Sequence, residues 1–542
     1  MVFTNLKETY KRTLNFLPLF SLFTKTYLKR LKKNNSMAIV GKLIKKTTAL
    51  SYKRNAKKGV EYKHQLEALK LLLERAKNTK FGFVHSFHEV LKKVDAVTYF
   101  QKNVPLTDYE SFYKLWLEET LNGAKDHTWR GKIRYFALSS GTTGTPSKRI
   151  PVTIEMIRSF QKTSLRQLSV LHELDLPEAF YGSSILTVGG STKLNKVGKH
   201  IEGDLSGILR KHTSLVATPF TKPGKRITDL KTWNEKLEAI IEKAPLWNIG
   251  IIAGIPSWCI LLLEKIKEHY QLDSIHEIWP NLQVYVHGGV FMDPYINRLE
   301  KLGTKKIQLL DTYLASEGYF AYQTSPLRKG MKLLLNCGIF YEFIPFNSDY
   351  FDENGKLIDN HDALTISQVQ EGVDYAMVIS TNAGLWRYLI GDLVRFINID
   401  DYELVITGRI KQFLSLCGEH LSLDNINQAL LSLHEEMAVF VDEFTIYADE
   451  IEQRHIWYLG VNGITNHETI TNFIDAKLCE LNDDYAYVRK YNLKEPIIEY
   501  VSSTLFYDFL AFIGKTGGQN KMPRVLNKEQ SKLWNEFIAT KI

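Results

Sequence analysis

The sequence predicts an α/β protein, a large multi-sheet N-terminal domain followed by a small α+β C-terminal domain. Three observations predict it. From residue 132 onward short apolar runs alternate with helical stretches, the pattern of sheets covered by helices. Near Thr407-Gly408-Arg409 the elements become shorter and more compact. The 542 residues are enough for two to four domains with large buried cores.

The elements follow in order. Residues 60–78 read as a helix, with Leu66, Leu69, Leu72 and Leu73 spaced for one buried face. Lys132–Leu138 reads as a strand. Further strands are expected at Ser184–Val188, Ile251–Ile255, Leu282–His287, Lys306–Leu310, Ile339–Ile344 and Tyr375–Thr381, with helices over Thr232–Ala244 and Trp258–Tyr270. Beyond residue 407 the order is helix Asn425–Glu436, strands Val439–Tyr447 and Ile456–Val461, helix Glu468–Leu481 and strand Ile497–Val501.

Composition excludes several classes. The chain is 44% apolar and 24% charged, ordinary for a globular protein. Its four cysteines have no metal or disulfide spacing, which fits a reducing cytoplasm. The net charge of +9 is uneven: residues 1–58 hold 15 Lys/Arg against one acid, Glu8. The rest is mildly acidic and lacks the footprint of a nucleic-acid binder. The apolar patch Leu14–Phe23 is too short to span a bilayer and contains Pro18. Two readings of residues 1–36 stay open, a membrane-surface or targeting segment and an extension upstream of a start at Met37.

Three segments carry chemistry. Ser139-Ser-Gly-Thr-Thr-Gly-Thr-Pro-Ser-Lys148 follows a strand. Its glycines let backbone N–H groups converge on an anion, and its hydroxyls and lysine add donors and charge. It is not a Walker A loop, and Gly514-Lys515-Thr516 fails that pattern because Phe509 replaces the first glycine. A plain surface loop is the competing reading. In Leu310–Gly318, Tyr313 offers a flat face for a purine and Glu317 an oxygen ligand for Mg²⁺; a core aromatic and a solvated acid are the alternatives. In Gly384–Phe396, Asp392 stands among apolar residues, at the end or turn of a buried strand. It suits either a ribose diol or an ion pair with Arg387 or Arg395.

In this order, Ser139-Ser-Gly-Thr-Thr…Lys148, Tyr313-x-x-Ser-Glu317 and Arg387…Gly391-Asp392 resemble the nucleotide motifs of the Gretchen Hagen acyl acid–amido synthetases, within the adenylate-forming superfamily. Gln65…Phe81-Gly82 and Tyr341-Glu-Phe-Ile-Pro345 resemble family segments too. Thr407–Phe413 with Gly418-Glu419 resembles the superfamily's hinge, and Gly517–Arg524 its lysine-bearing C-terminal loop. The resemblance runs from about Met37 to Ile542. Trp386, where plant members commonly carry Tyr, and Pro146-Ser147 depart from the pattern, so the plant hormones do not transfer as substrates.

The resemblance implies an AMP-forming ligase with ATP and Mg²⁺. A carboxylic acid becomes an acyl-adenylate, and an amine, usually an amino acid, takes the acyl group. It implies that Ser139, Ser140, Gly141, Thr142, Thr143 and Lys148 hold phosphates, Tyr313 packs on adenine, and Ser316 and Glu317 sit near the α-phosphate and Mg²⁺. Asp392 accepts from the ribose, Arg409 touches ribose or phosphate, Gly288 and Gly289 approach the base, and Lys521 neutralises the α-phosphate. His287 either faces the acyl group or is merely hydrogen-bonded. The implied organisation is a basic extension 1–36, a large domain 37–406, a hinge 407–412 and a mobile lid 413–542. An acyl-CoA synthetase and a non-catalytic membrane-associated protein are the competing functions.

Overall fold

The structure is a computed structural model. It describes residue 41, residues 45–50 and residues 61–541, apart from 140–147, 190–192, 214–216, 231, 291, 353–354, 359–362, 411–413, 415, 417–418, 420, 462–466 and 516–519. The basic extension, and Ser140, Gly141, Thr142 and Thr143 of the glycine-rich loop, lie outside the described residues.

Strands are numbered in chain order. The first ten are β1 (Tyr135–Ser139), β2 (Lys148–Val152), β3 (Ser184–Thr187), β4 (Asn195–Val197), β5 (His200–Gly203), β6 (Thr221–Lys222), β7 (Ile249–Ala253), β8 (Val284–Gly288), β9 (Gln308–Ala315) and β10 (Gly318–Tyr322). Then follow β11 (Met331–Leu333), β12 (Ile339–Pro345), β13 (Leu364–Thr365), β14 (Asp374–Thr381), β15 (Tyr388–Asn398), β16 (Glu403–Arg409), β17 (Val441–Asp449), β18 (Arg454–Val461) and β19 (Ile497–Val501). The helices used below are α1 (Glu61–Ala76), α2 (Ile154–Leu168), α3 (Trp233–Lys243), α4 (Pro256–His269), α5 (Asp293–Glu300), α6 (Leu423–Met437), α7 (His467–Leu481), α8 (Ser503–Phe512) and α9 (Lys528–Ala539).

The main sheet runs β13-β12-β14-β15-β16-β11-β10-β9-β8-β7-β3-β6. From β9 to β6 all neighbours are parallel, and from β9 to β13 all are antiparallel. β7 and β8 are buried on both faces, as parallel strands covered by helices must be. α4 starts with Pro256 at its first position and buries Trp258, Cys259, Leu262, Leu263 and Ile266. α3 opens on a capping box between Thr232 and Glu235. A second sheet, β2-β1-β5-β4, lies beside the first.

α1 buries Leu69, Leu72 and Leu73 as its spacing predicts, while Leu66 is half-buried. Gln65 is buried with them because its amide is satisfied. It donates to the Leu335 and Ile339 carbonyls at 2.9 and 3.0 Å and accepts from the Tyr341 N–H at 2.8 Å.

The C-terminal elements form their own three-stranded sheet, β17-β18-β19. Alternation along β18 divides its core: Trp457 and Leu459 pack with α6 and α7, Ile456 and Tyr458 with α8 and α9.

Two local expectations are corrected. Lys306–Leu310 does not end in a loop at residue 311. The strand continues to Ala315, because Asp311 and Thr312 still pair with β8 and Tyr313 pairs with Ala321 of β10. Only Ser316-Glu317 forms the turn. Asp392 is not at a strand end either; it lies within β15, opposite Arg409 of β16.

Candidate active site

The site lies where the parallel strands end and the antiparallel half begins, the crevice in which open α/β sheets bind ligands. β1 and β2 form a hairpin in which Ser139 pairs with Lys148. These two residues therefore flank the phosphate-loop segment. The Lys148 ammonium sits 5.2 Å from the Tyr109 ring centre. Tyr109 also accepts the Arg149 N–H at 2.8 Å, a support that no sequence motif signals.

Glu317 occupies the tight β9–β10 turn, is 7% exposed, and borders a small cleft with Met156, Phe160, Tyr319 and Ile339. Burial pushes its carboxyl up to about 7, against the pull of the Lys148 ammonium; the Asp392 carboxylate adds to the rise. Ser316 is half-buried beside it.

Asp392 is the polar centre. Arg409 Nε lies 2.9 Å from its Oδ1, and the Tyr313 hydroxyl donates to its Oδ2 at 2.7 Å. A carboxylate offers about four acceptor positions, so these contacts leave capacity for the two hydroxyls of a ribose. The bulge between Ala376 and Val378 lies opposite this point, and Gly391 takes φ +92°. Asp392 does not pair with Arg387 or Arg395, the partners considered from sequence. Arg387 lies 3.0 Å from buried Glu342 and donates to the Gln101 and Val104 carbonyls at 2.8 Å. Arg395 pairs with Asp374 at 2.7 Å and Asp424 at 3.3 Å. The cross-strand register of β15 and β16 delivers Arg409 instead.

Tyr313 does not present an open ring face. It is 3% exposed, its ring meets Phe320 edge-on at 4.9 Å, and its hydroxyl fixes Asp392. An aromatic in an apolar strand reads the same in sequence whether it faces a ligand or the core.

β8 ends in Gly288-Gly289. A Cβ on Gly288 would stand 2.3 Å from the Thr312 carbonyl oxygen, so only glycine permits this approach of β8 and β9. Gly289 takes φ +83°, and its carbonyl accepts from the Lys521 ammonium. Desolvation and the nearby Arg409 guanidinium push Lys521 down to about 8. Its side chain is open to solvent, which weakens that effect. His287 is buried, lowered to about 4 by burial and so neutral; its Nδ1 is 3.4 Å from Asp311. Burial raises Asp311 to about 7, again moderated because that side chain is 40% exposed.

The described residues contain no group of three or more His, Cys, Asp and Glu able to hold a metal ion. Mg²⁺ bound mainly through substrate phosphates needs only one or two protein carboxylates, and Glu317 fits that requirement. No described helix is long and apolar enough to cross a membrane.

Comparison with known proteins identifies the family. The GH3 family N-terminal domain matches residues 55–199 and 191–307, the central domain 332–403 and the C-terminal domain 424–530. Relatives include the probable indole-3-acetic acid-amido synthetase GH3.1 of Arabidopsis thaliana, 27% identical over 51% of this chain and 49% of that protein. The jasmonoyl–L-amino acid synthetase GH3.5 of Oryza sativa subsp. japonica is 25% identical over 48% of each. The chain spans about half or less of the length of the curated relatives it matches. Among solved structures, AtGH3.15 acyl acid amido synthetase in complex with 2,4-DB superposes with TM-score 0.73 at 18% identity, over 90% of this chain and 95% of that one. A 2-hydroxyisobutyryl-CoA ligase in complex with 2-HIB-AMP gives 0.56 at 14% identity, over 88% and 91%. The fold is thus that of adenylate-forming enzymes, and the chain belongs to the GH3 family.

Proposed function

We propose that this protein is an ATP-dependent acyl acid–amido synthetase acting in the cytoplasm, which activates a small carboxylic acid and transfers its acyl group to the amine of an amino acid. The observation that carries this reading is the convergence of Lys148, Glu317, Asp392, Arg409 and Lys521 on one crevice. A relative named as a jasmonoyl–L-amino acid synthetase supports the choice of acceptor.

In the first step a carboxylate oxygen attacks the α-phosphorus of ATP, and the bond to pyrophosphate breaks. In the second the amine nitrogen attacks the acyl carbon, AMP leaves, and the nitrogen gives up a proton. Charge builds on phosphate oxygens in the first step, so positioning and electrostatic stabilisation are what the protein must supply. Lys148 and the loop from Ser139 through Ser140, Gly141, Thr142 and Thr143 neutralise the departing phosphates. Lys521 faces the α-phosphate, Asp392 takes the ribose hydroxyls, and Arg409 and Tyr313 hold Asp392 in place. Gly288 and Gly289 leave room for the base. Glu317 would hold Mg²⁺, which when bound would screen the phosphate charge.

The hinge is proposed at 407–412, of which 411–412 lie outside the described residues; in support, β16 ends at Arg409. ATP–pyrophosphate exchange tests the first step. An amine-versus-CoA acceptor screen then separates amide from thioester formation; CoA as the better acceptor would replace this reading with the acyl-CoA synthetase.

A further inference from the structure

Arg524 lies three positions after Lys521, half-buried between the C-terminal sheet and α5 of the large body. Its guanidinium donates to Glu443 Oε2 at 2.6 Å, to the Phe444 carbonyl at 3.0 Å and to the Tyr295 hydroxyl oxygen at 3.1 Å. The Tyr295 hydroxyl in turn donates to Glu443 Oε1. Tyr295 comes from α5, Glu443 from β17, so the triad bridges the two bodies. Tyr295 is 1% and Glu443 3% exposed.

The backbone around Lys521 is fixed from both sides. Trp258 of α4 donates to the Asn520 carbonyl at 2.5 Å, and Lys521 reaches the Gly289 carbonyl. Thr445 donates to the Pro523 carbonyl at 2.8 Å, and the Ile446 N–H to the Arg524 carbonyl at 2.9 Å. A second ion pair, Arg298 with Glu264 at 2.7 Å, lies beside the contact, where Tyr507 of α8 packs against Trp258.

A buried ion pair is a poor source of stability, because desolvation offsets its attraction. An apolar contact would hold the bodies together more cheaply but would tolerate sliding. A charged triad with fixed hydrogen-bond geometry accepts one orientation only.

We propose that Tyr295, Glu443 and Arg524 form a latch that fixes the C-terminal body in the orientation presenting Lys521 to the α-phosphate. They are positioning residues for the first half-reaction. The proposal rests on the adenylation reading. Charge builds on the α-phosphate in the first half-reaction, so Lys521 is needed there, and loosening the latch should slow adenylation more than amine transfer.

Tyr295→Phe keeps the ring and removes the bridging hydroxyl. It should lower ATP–pyrophosphate exchange about tenfold or more, since small displacements of a catalytic group are costly. Amine transfer from supplied acyl-adenylate should stay within about twofold of the parent. Glu443→Gln should act in the same direction. A readout independent of turnover uses spin labels at Glu242→Cys on α3 and Glu480→Cys on α7, with Cys417 and Cys479 replaced by Ser. With Mg–ATP the parent should give one narrow distance, and Tyr295→Phe a broad distribution. Unchanged exchange and distances would overturn the latch, as would an equal fall in both half-reactions with unchanged distances. If the parent shows no exchange with any acid, the adenylation reading fails, and the distances alone decide whether the triad fixes orientation.

Discussion

Asp392 joins a cation, a phenol and open acceptor positions in one carboxylate. Asp392→Asn removes the charge that Arg409 and the Tyr313 hydroxyl both address. Charge-assisted hydrogen bonds contribute about 1.5–3 kcal/mol, so kcat/KM for ATP should fall about 10- to 100-fold. Tyr313→Phe leaves the carboxylate and should cost less than about tenfold in the same assay. Lys521 supplies a pH signature. Lowered from the ordinary lysine range, it carries its charge at neutral pH and loses it at a lower pH than a free lysine, so adenylation should decline on the alkaline side, at or above pH 8. The limb belongs to the free enzyme and is read in kcat/KM, because bound phosphates favour the charged lysine. Arg409→Gln removes a like charge and should move the limb upward, while Lys521→Ala should abolish it. A limb that stays in place in both variants would assign it to another group.

At the scale of elements, local chemistry was legible and pairing was not. The apolar runs of β7, β8 and β14 and the periodicity of α1, α4, α6 and α7 mark those elements in the sequence. The length of β9 was hidden, because its polar residues Asp311 and Thr312 are kept in the sheet by β8 and β10 rather than by their own pattern. The Asp392–Arg409 pair was hidden for the same reason: two adjacent arginines competed for the carboxylate, and only the β15–β16 register decides. Tyr295 and Glu443 carry no motif at all. The β8–β9 approach predicts that Gly288→Ala forces backbone apart at the Thr312 carbonyl, at about 1–3 kcal/mol in urea denaturation. Glu342→Gln would leave Arg387 without its buried counter-charge, and Arg387 already holds φ +39°. A loss of about 3–5 kcal/mol is expected by the same measurement.

Over the whole molecule, the ends of β1 and β2, the β9–β10 turn, β15, β16 and the segment around Lys521 meet although they are scattered along the chain. Charge is uneven along the chain: residues 1–58 hold 15 Lys/Arg against one acid, and within the body Lys148, Arg409 and Lys521 act on the carboxylates of one crevice. The most direct test is ATP–pyrophosphate exchange screened over aromatic, hydroxy-aromatic and fatty carboxylic acids, with Lys148→Ala and Asp392→Ala alongside the parent. The account predicts exchange that requires one class of acid and disappears in both variants. Exchange that survives Asp392→Ala would contradict it, and so would absence of exchange with every acid together with absence of ATP binding by calorimetry.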